Sequence, residues 1–139
     1  MATAADAEVV LRLYELRREE TLRKARKFLA FDFNPKNVEE LRAVTRTPGT
    51  EENAYWRQVM SYWEMAATLV LRGAVDADLF LDSNVEGIFL YAKYHHFHKD
   101  TEAQNGPFMR NTAALIEKHP MAKSRYEAVL KNFEARRQT

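Results

Sequence analysis

The chain has 139 residues, 46% hydrophobic and 29% charged, with only 4 Gly and 4 Pro. That balance predicts one soluble globular domain and excludes collagen-like, low-complexity and disordered classes. Lys plus Arg is 21 against 20 for Asp plus Glu, so a net charge of +1 demands no polyanionic partner, and the lack of cysteine excludes disulfides, thiolate nucleophiles and cysteine-ligated zinc.

The segment from Met1 to Glu8 has neither a basic start nor an apolar stretch, which argues against a secretory signal and for a cytoplasmic address. Thr3 is placed to cap a first helix over 4–30, with Asp6 in its first turn. Its seam reads Val10, Tyr14, Thr21, Ala25, Phe28. Val9, Leu13 and Leu16 form a patch on its first half, roughly opposite Leu22, Ala25 and Leu29 on its second. A helix on one core needs one stripe, so the first patch predicts a homodimer, with cover by a last helix carrying Tyr126, Val129, Leu130 and Phe133 as the alternative. Arg12, Arg17, Arg18, Arg23, Lys24, Arg26 and Lys27 outnumber Glu15, Glu19 and Glu20 there. With Phe28, Phe31 and Phe33 following, this basic helix is a minor nucleic-acid candidate; a solvated face with pairs such as Glu20–Lys24 is favoured.

Asn34-Pro35 ends that helix and opens a short one over 35–46, which stops at Thr47-Pro48-Gly49. Thr50 caps the next helix, over 50–72, with Glu51 and Glu52 in its first turn. Apolar residues at 56, 59, 63, 66 and 70, widened by Tyr55, Met60, Tyr62 and Leu69, leave only Arg57, Ser61, Glu64, Thr68 and Arg72 as a polar stripe. A helix apolar around most of its circumference belongs at the centre of a bundle, and Arg57 and Glu64 argue against a membrane span. Gly73 ends it, and Asp76 caps a short helix holding Leu79, Phe80 and Leu81.

The sequence Tyr62-Trp63-Glu64, then Leu69-Val70, Arg72-Gly73-Ala74-Val75-Asp76 and Leu79-Phe80, resembles a group of small bacterial helical domains of unknown function. The similarity spans 59–90. It implies a helical fold and brings no activity with it.

Ser83-Asn84-Val85-Glu86 reads as a capping box opening a helix over 84–104. Asn105-Gly106-Pro107 separates it from a helix over 107–118, and His119-Pro120 breaks the chain before a last helix to Arg136. No segment alternates as a strand does. The expected fold is an all-α bundle of five to seven helices around the 50–72 helix.

Within the 84–104 helix, His95, His98 and Glu102 share a face at helical spacing, a pattern suited to a divalent metal. Dipole-complementing surface histidines are the plainer reading. Tyr62, Trp63, Glu64 and Arg72 are candidates for a ligand site, the carboxylate beside Trp63 being partly desolvated; a packed core is the alternative. No Gly-rich phosphate loop or serine elbow is present, and no cofactor is predicted. These features favour a non-catalytic, self-associating interaction module, with a small-ligand or metal-binding protein as alternative.

Overall fold

Thr3 opens the first helix reciprocally with Asp6: its hydroxyl accepts from the Asp6 N–H at 3.2 Å, and the Asp6 carboxylate accepts from the Thr3 N–H at 2.7 Å. The computed structural model describes residues 1–137, and here α1 covers Ala4–Arg17. The helix expected over 4–30 is not continuous. Glu19 leaves helical geometry (ψ 141°) and its carboxylate accepts from the N–H groups of Thr21 and Leu22 at 3.0 and 2.9 Å, starting α2 (Glu20–Lys27). A π-helical turn, Phe28–Asp32, follows. The corner resolves the conflict between two apolar faces, because once the axis turns, Leu13, Leu22, Ala25 and Leu29 all enter one core. Leu13 is only 2% exposed, so it is a core residue and not a contact for another chain. Val9 packs beside that core, while Leu16 stays exposed.

Asn37 caps α3 (Val38–Thr45), which begins later than its proline suggested. Thr50 caps α4 (Glu51–Leu71) by accepting from the Asn53 N–H. Buried Asn53 then donates to the carbonyls of Val44 and Thr45 at 2.9 and 3.1 Å, satisfying orphan acceptors at the end of α3 and fixing it to α4. Val59, Trp63, Ala66, Ala67 and Val70 are almost wholly buried, and α4 packs against α2, α3 and three later helices. It is the centre, as expected. Gly73 ends it at φ 77°, with the Gly73 N–H on the Val70 carbonyl and the Ala74 N–H on the Leu69 carbonyl, the paired closure that a left-handed residue permits.

Asp76 caps α5 (Ala77–Ser83), and its own N–H donates to Asp6 at 2.9 Å. The capping box expected at Ser83 does not form. Ser83 is the last residue of α5, its hydroxyl donating back to the Leu79 carbonyl, and α6 (Glu86–Tyr94) starts without a side-chain cap because Glu86 is drawn to Arg26 and Trp63. Beyond Tyr94 the expected long helix tightens into 3-10 turns, His95–Phe97 and Lys99–Thr101, and a single turn, α7 (Glu102–Asn105). The chain ends in α8 (Arg110–Lys118) and α9 (Pro120–Arg137). The described residues thus form nine α-helices without a strand, more than expected because two long segments break. No helix among them is long and apolar enough to cross a membrane.

Candidate functional site

The breaks after Tyr94 open a cleft of about 300 Å³ between α3 and the 97–109 segment. Leu41, Phe97, Pro107 and Met109 supply its apolar lining, and Arg42, Arg46, His98 and Glu102 supply its charge and hydrogen-bonding groups. Asn53 holds the α3 side, as described above. The opposite wall is held by aromatic contact: His98 stacks on Phe108 at 4.0 Å, Phe108 on Trp56 at 6.3 Å and on Tyr91 at 6.0 Å, and Trp56 meets Tyr94 edge-on at 4.9 Å.

Tyr94 and Lys93 anchor this wall to the π turn. Widening the helix frees carbonyls, and the Tyr94 hydroxyl donates to that of Leu29 at 2.6 Å while Lys93 Nζ donates to those of Leu29 and Ala30 at 2.8 and 3.2 Å. Burial lowers the Lys93 ammonium to about 8.

Glu102 is committed on both oxygens: Oε1 pairs with His95 Nε2 at 2.7 Å and Oε2 accepts from the Phe108 N–H at 3.1 Å. Burial opposes its ionisation, but these bonds outweigh it and hold the carboxyl below its usual range. His95 stacks on Tyr91, and with Nε2 on Glu102 its Nδ1 is a buried nitrogen with no partner among the described residues. His98 Nδ1 donates to the Tyr94 carbonyl at 3.0 Å, which places the proton of the neutral ring on Nδ1. Burial depresses its pKa, against the pull of that carbonyl, so the ring is neutral with an unprotonated Nε2 at neutral pH. Loss of helical geometry after Tyr94 therefore pairs His95 with Glu102 and sends His98 to the backbone. Among the described residues no group of three or more His, Cys, Asp or Glu is placed to hold a metal ion.

Met109 closes the cleft in the left-handed region, at φ 46°, a conformation that costs a non-glycine residue about 1–3 kcal/mol. It is the uncapped entry to α8, and the N–H groups of Asn111 and Thr112 donate instead to Glu64, at 2.9 Å each. Glu64 thus has a partner that no local spacing announces.

Trp63 and Tyr62, expected beside Glu64 in a ligand site, are packed instead. The free space next to Trp63 is about 10 Å³, too little for a small-molecule ligand. Tyr62 donates to the Leu13 carbonyl, and Trp63 Nε1 donates to Glu86 at 2.9 Å. Arg72 is the exposed C-cap of α4. The pairings that local spacing misses are Arg26 with Glu86, joined by two bonds of 2.8 and 3.0 Å, and Arg17 with Asn84, to which it donates. Their partners lie 60 residues or more apart, beyond any local pattern.

The family model described as Domain of unknown function (DUF4760) matches residues 2–119. The chain belongs to that family. No curated protein and no solved structure matches it significantly. The DUF4760 match runs from α1 through α8, so it includes every residue lining the cleft, and leaves out α9. Membership fixes the kind of domain and brings no activity to these residues.

Proposed function

We propose that this DUF4760 domain is a non-catalytic binder of a small organic acid, held in the cleft between α3 and the 97–109 segment. One observation carries the reading: Arg42 and Arg46 line the cleft without a carboxylate partner among the described residues, and Glu102, its single acidic lining residue, is already engaged on both oxygens. A guanidinium meets a carboxylate through two parallel bonds, and Phe97 and Pro107 offer apolar surface to the rest of the ligand. His98 Nε2 adds a neutral acceptor. Benzoate, with benzamide as its uncharged isostere, separates charge recognition from plain burial of a ring. By NMR titration benzoate should bind saturably and benzamide at least about tenfold more weakly, the ratio that one lost charge-assisted bond gives. Arg42→Ala should remove the preference; equal binding of both compounds would refute the reading.

Self-association is a second reading, favoured by Leu11 at 62% and Leu16 at 44% exposure on α1. A homodimer through α1 rests on Leu11, since Leu13 is spent on the core and Leu16 stands about 140° around the helix from Leu11. Sedimentation of the wild type against Leu11→Glu tests it: a monomeric wild type at high micromolar concentration ends this reading.

A further inference from the structure

The corner between α1 and α2 gathers more positive charge than the fold uses. Tyr14, Arg17, Arg18, Arg23 and Arg26 line one concavity of about 370 Å³. Arg26 has Glu86 as its counter-ion. Arg17 is anchored by neutral groups, donating to Asn84 and lying 5.0 Å from the Tyr14 ring centre and 5.8 Å from that of Trp63. Arg18 lies 5.6 Å from the same Tyr14 ring. Arg17, Arg18 and Arg23 have no carboxylate partner among the described residues. Two acids of the corner are spent elsewhere: Glu19 caps α2, and Glu20 pairs with Lys24.

With Arg26 offset by Glu86, three guanidinium groups remain around one hollow without a counter-ion, an arrangement that an anion would relieve. We propose that this corner is a binding site for a small phosphoryl-bearing molecule. A single carboxylate engages one guanidinium, whereas a phosphoryl group offers three oxygens and up to two negative charges to several at once. Two features make it a site and not a diffuse basic face. Arg17 and Arg26 are fixed from behind by Asn84 and Glu86, so their ordering is complete before a ligand arrives. Tyr14, with the Arg17 and Arg18 guanidinium groups over its ring, holds both cations at the hollow. The near-neutral charge of the whole chain argues for a small ligand over a nucleic-acid strand.

Inorganic pyrophosphate and orthophosphate are the probes, titrated calorimetrically into the full chain at a constant ionic strength of about 0.15 M. The variant is Arg18→Gln with Arg23→Gln, two exposed side chains outside every ion pair described, so folding is preserved and a matching melting curve verifies that. Pyrophosphate should bind at one site, more tightly than orthophosphate, and at least about tenfold more weakly to the double variant, as expected for losing charge-assisted bonds. Unchanged affinity in the variant, or no saturable binding to the wild type, overturns the proposal. Single-stranded oligonucleotide binding tighter than pyrophosphate and falling steeply with salt would also overturn it, in favour of a nucleic-acid face.

Discussion

Glu64 closes the N-terminus of a helix that begins far along the chain from it. Its Oε2 accepts from both the N–H and the hydroxyl of Thr112, at 2.9 and 2.7 Å, and its Oε1 from the Asn111 N–H at 2.9 Å. The first turn of α8 has orphan donors and a partial positive charge, and Met109, in the capping position, has no side-chain oxygen to offer. A carboxylate from the central helix supplies both needs. It also fixes where Met109 stands against the cleft.

Removing that carboxylate leaves the Thr112 hydroxyl and two backbone donors without their acceptor. Glu64→Ala should cost about 2–3 kcal/mol, a lost cap plus charge-assisted bonds, and Glu64→Gln about half as much. Denaturant unfolding reads both values. A cost of less than about 0.5 kcal/mol for Glu64→Ala would contradict the capping role, since that is the range of neutral surface changes.

The local caps were legible in the sequence, and the long-range ones were not. Thr3, Thr50 and Asp76 cap neighbouring turns, so a polar residue before an apolar period suffices to find them. The interruptions at Glu19 and after Tyr94 lack Gly or Pro, and the periodic pattern runs through them. Glu19 breaks its helix by being a better cap than a helix-interior residue. Spacing makes Glu86 a partner for Ser83, but Arg26 and Trp63 compete for the same carboxylate and win. The histidine face is rearranged for the same reason as the first helix: helical spacing assumes a continuity that ends at Tyr94. In both places the pattern gave the composition of the cluster but not its pairing.

Trp63 and Glu86 form the tightest test of the core. Trp63 is 2% exposed, so Trp63→Ala should cost about 3–5 kcal/mol. Glu86→Ala orphans both the Trp63 N–H and the Arg26 guanidinium; with both side chains of the ion pair still reached by solvent, about 1–3 kcal/mol is expected. Joining it to Arg26→Met should restore part of that loss, because no unpaired charge remains. A double-mutant cycle with no coupling would show that the pair acts as two independent surface groups.

Acid should destabilise the fold from about pH 6.5 downward. Burial, with help from the nearby charges of Arg137, Lys99, His95 and His98, depresses His96 to about 4 from its ordinary 6.5. Between those values the unfolded chain binds a proton that the folded chain refuses, so stability is complete above 6.5 and falls as the pH drops. His98 and Glu102, also depressed, act in the same direction, Glu102 below the ordinary carboxylate range. One full proton of difference gives a slope of about 1.4 kcal/mol per pH unit. Urea unfolding between pH 7 and 4 should show it, and His96→Gln should flatten it; an identical slope in that variant would remove His96 from the account.

At alkaline pH the buried Lys93 should give the opposite trend, a rise in stability. Its ammonium is lowered to about 8 by burial, against an ordinary value of 10.5, with the charge of Asp32 opposing the shift only in part. Above about 8 the folded protein has released this proton while the unfolded chain still holds it, so stability climbs with pH. Deprotonation does not break the site, because a neutral amine keeps two N–H donors and exactly these are needed by the carbonyls of Leu29 and Ala30. The climb has a ceiling. Burial raises the hydroxyls of Tyr62, Tyr91, Tyr94 and Tyr126, so above about pH 10 the unfolded chain loses protons that the folded chain keeps, and stability falls. A maximum near pH 10 is therefore expected in chemical unfolding, with one lysine side chain titrating near 8 by NMR. Lys93→Met should abolish both that resonance and the rise between 8 and 10, while lowering stability at pH 7 through the two lost bonds. A wild type whose stability falls steadily from pH 8, with no lysine titrating below 9, would show that Lys93 stays charged on the π turn.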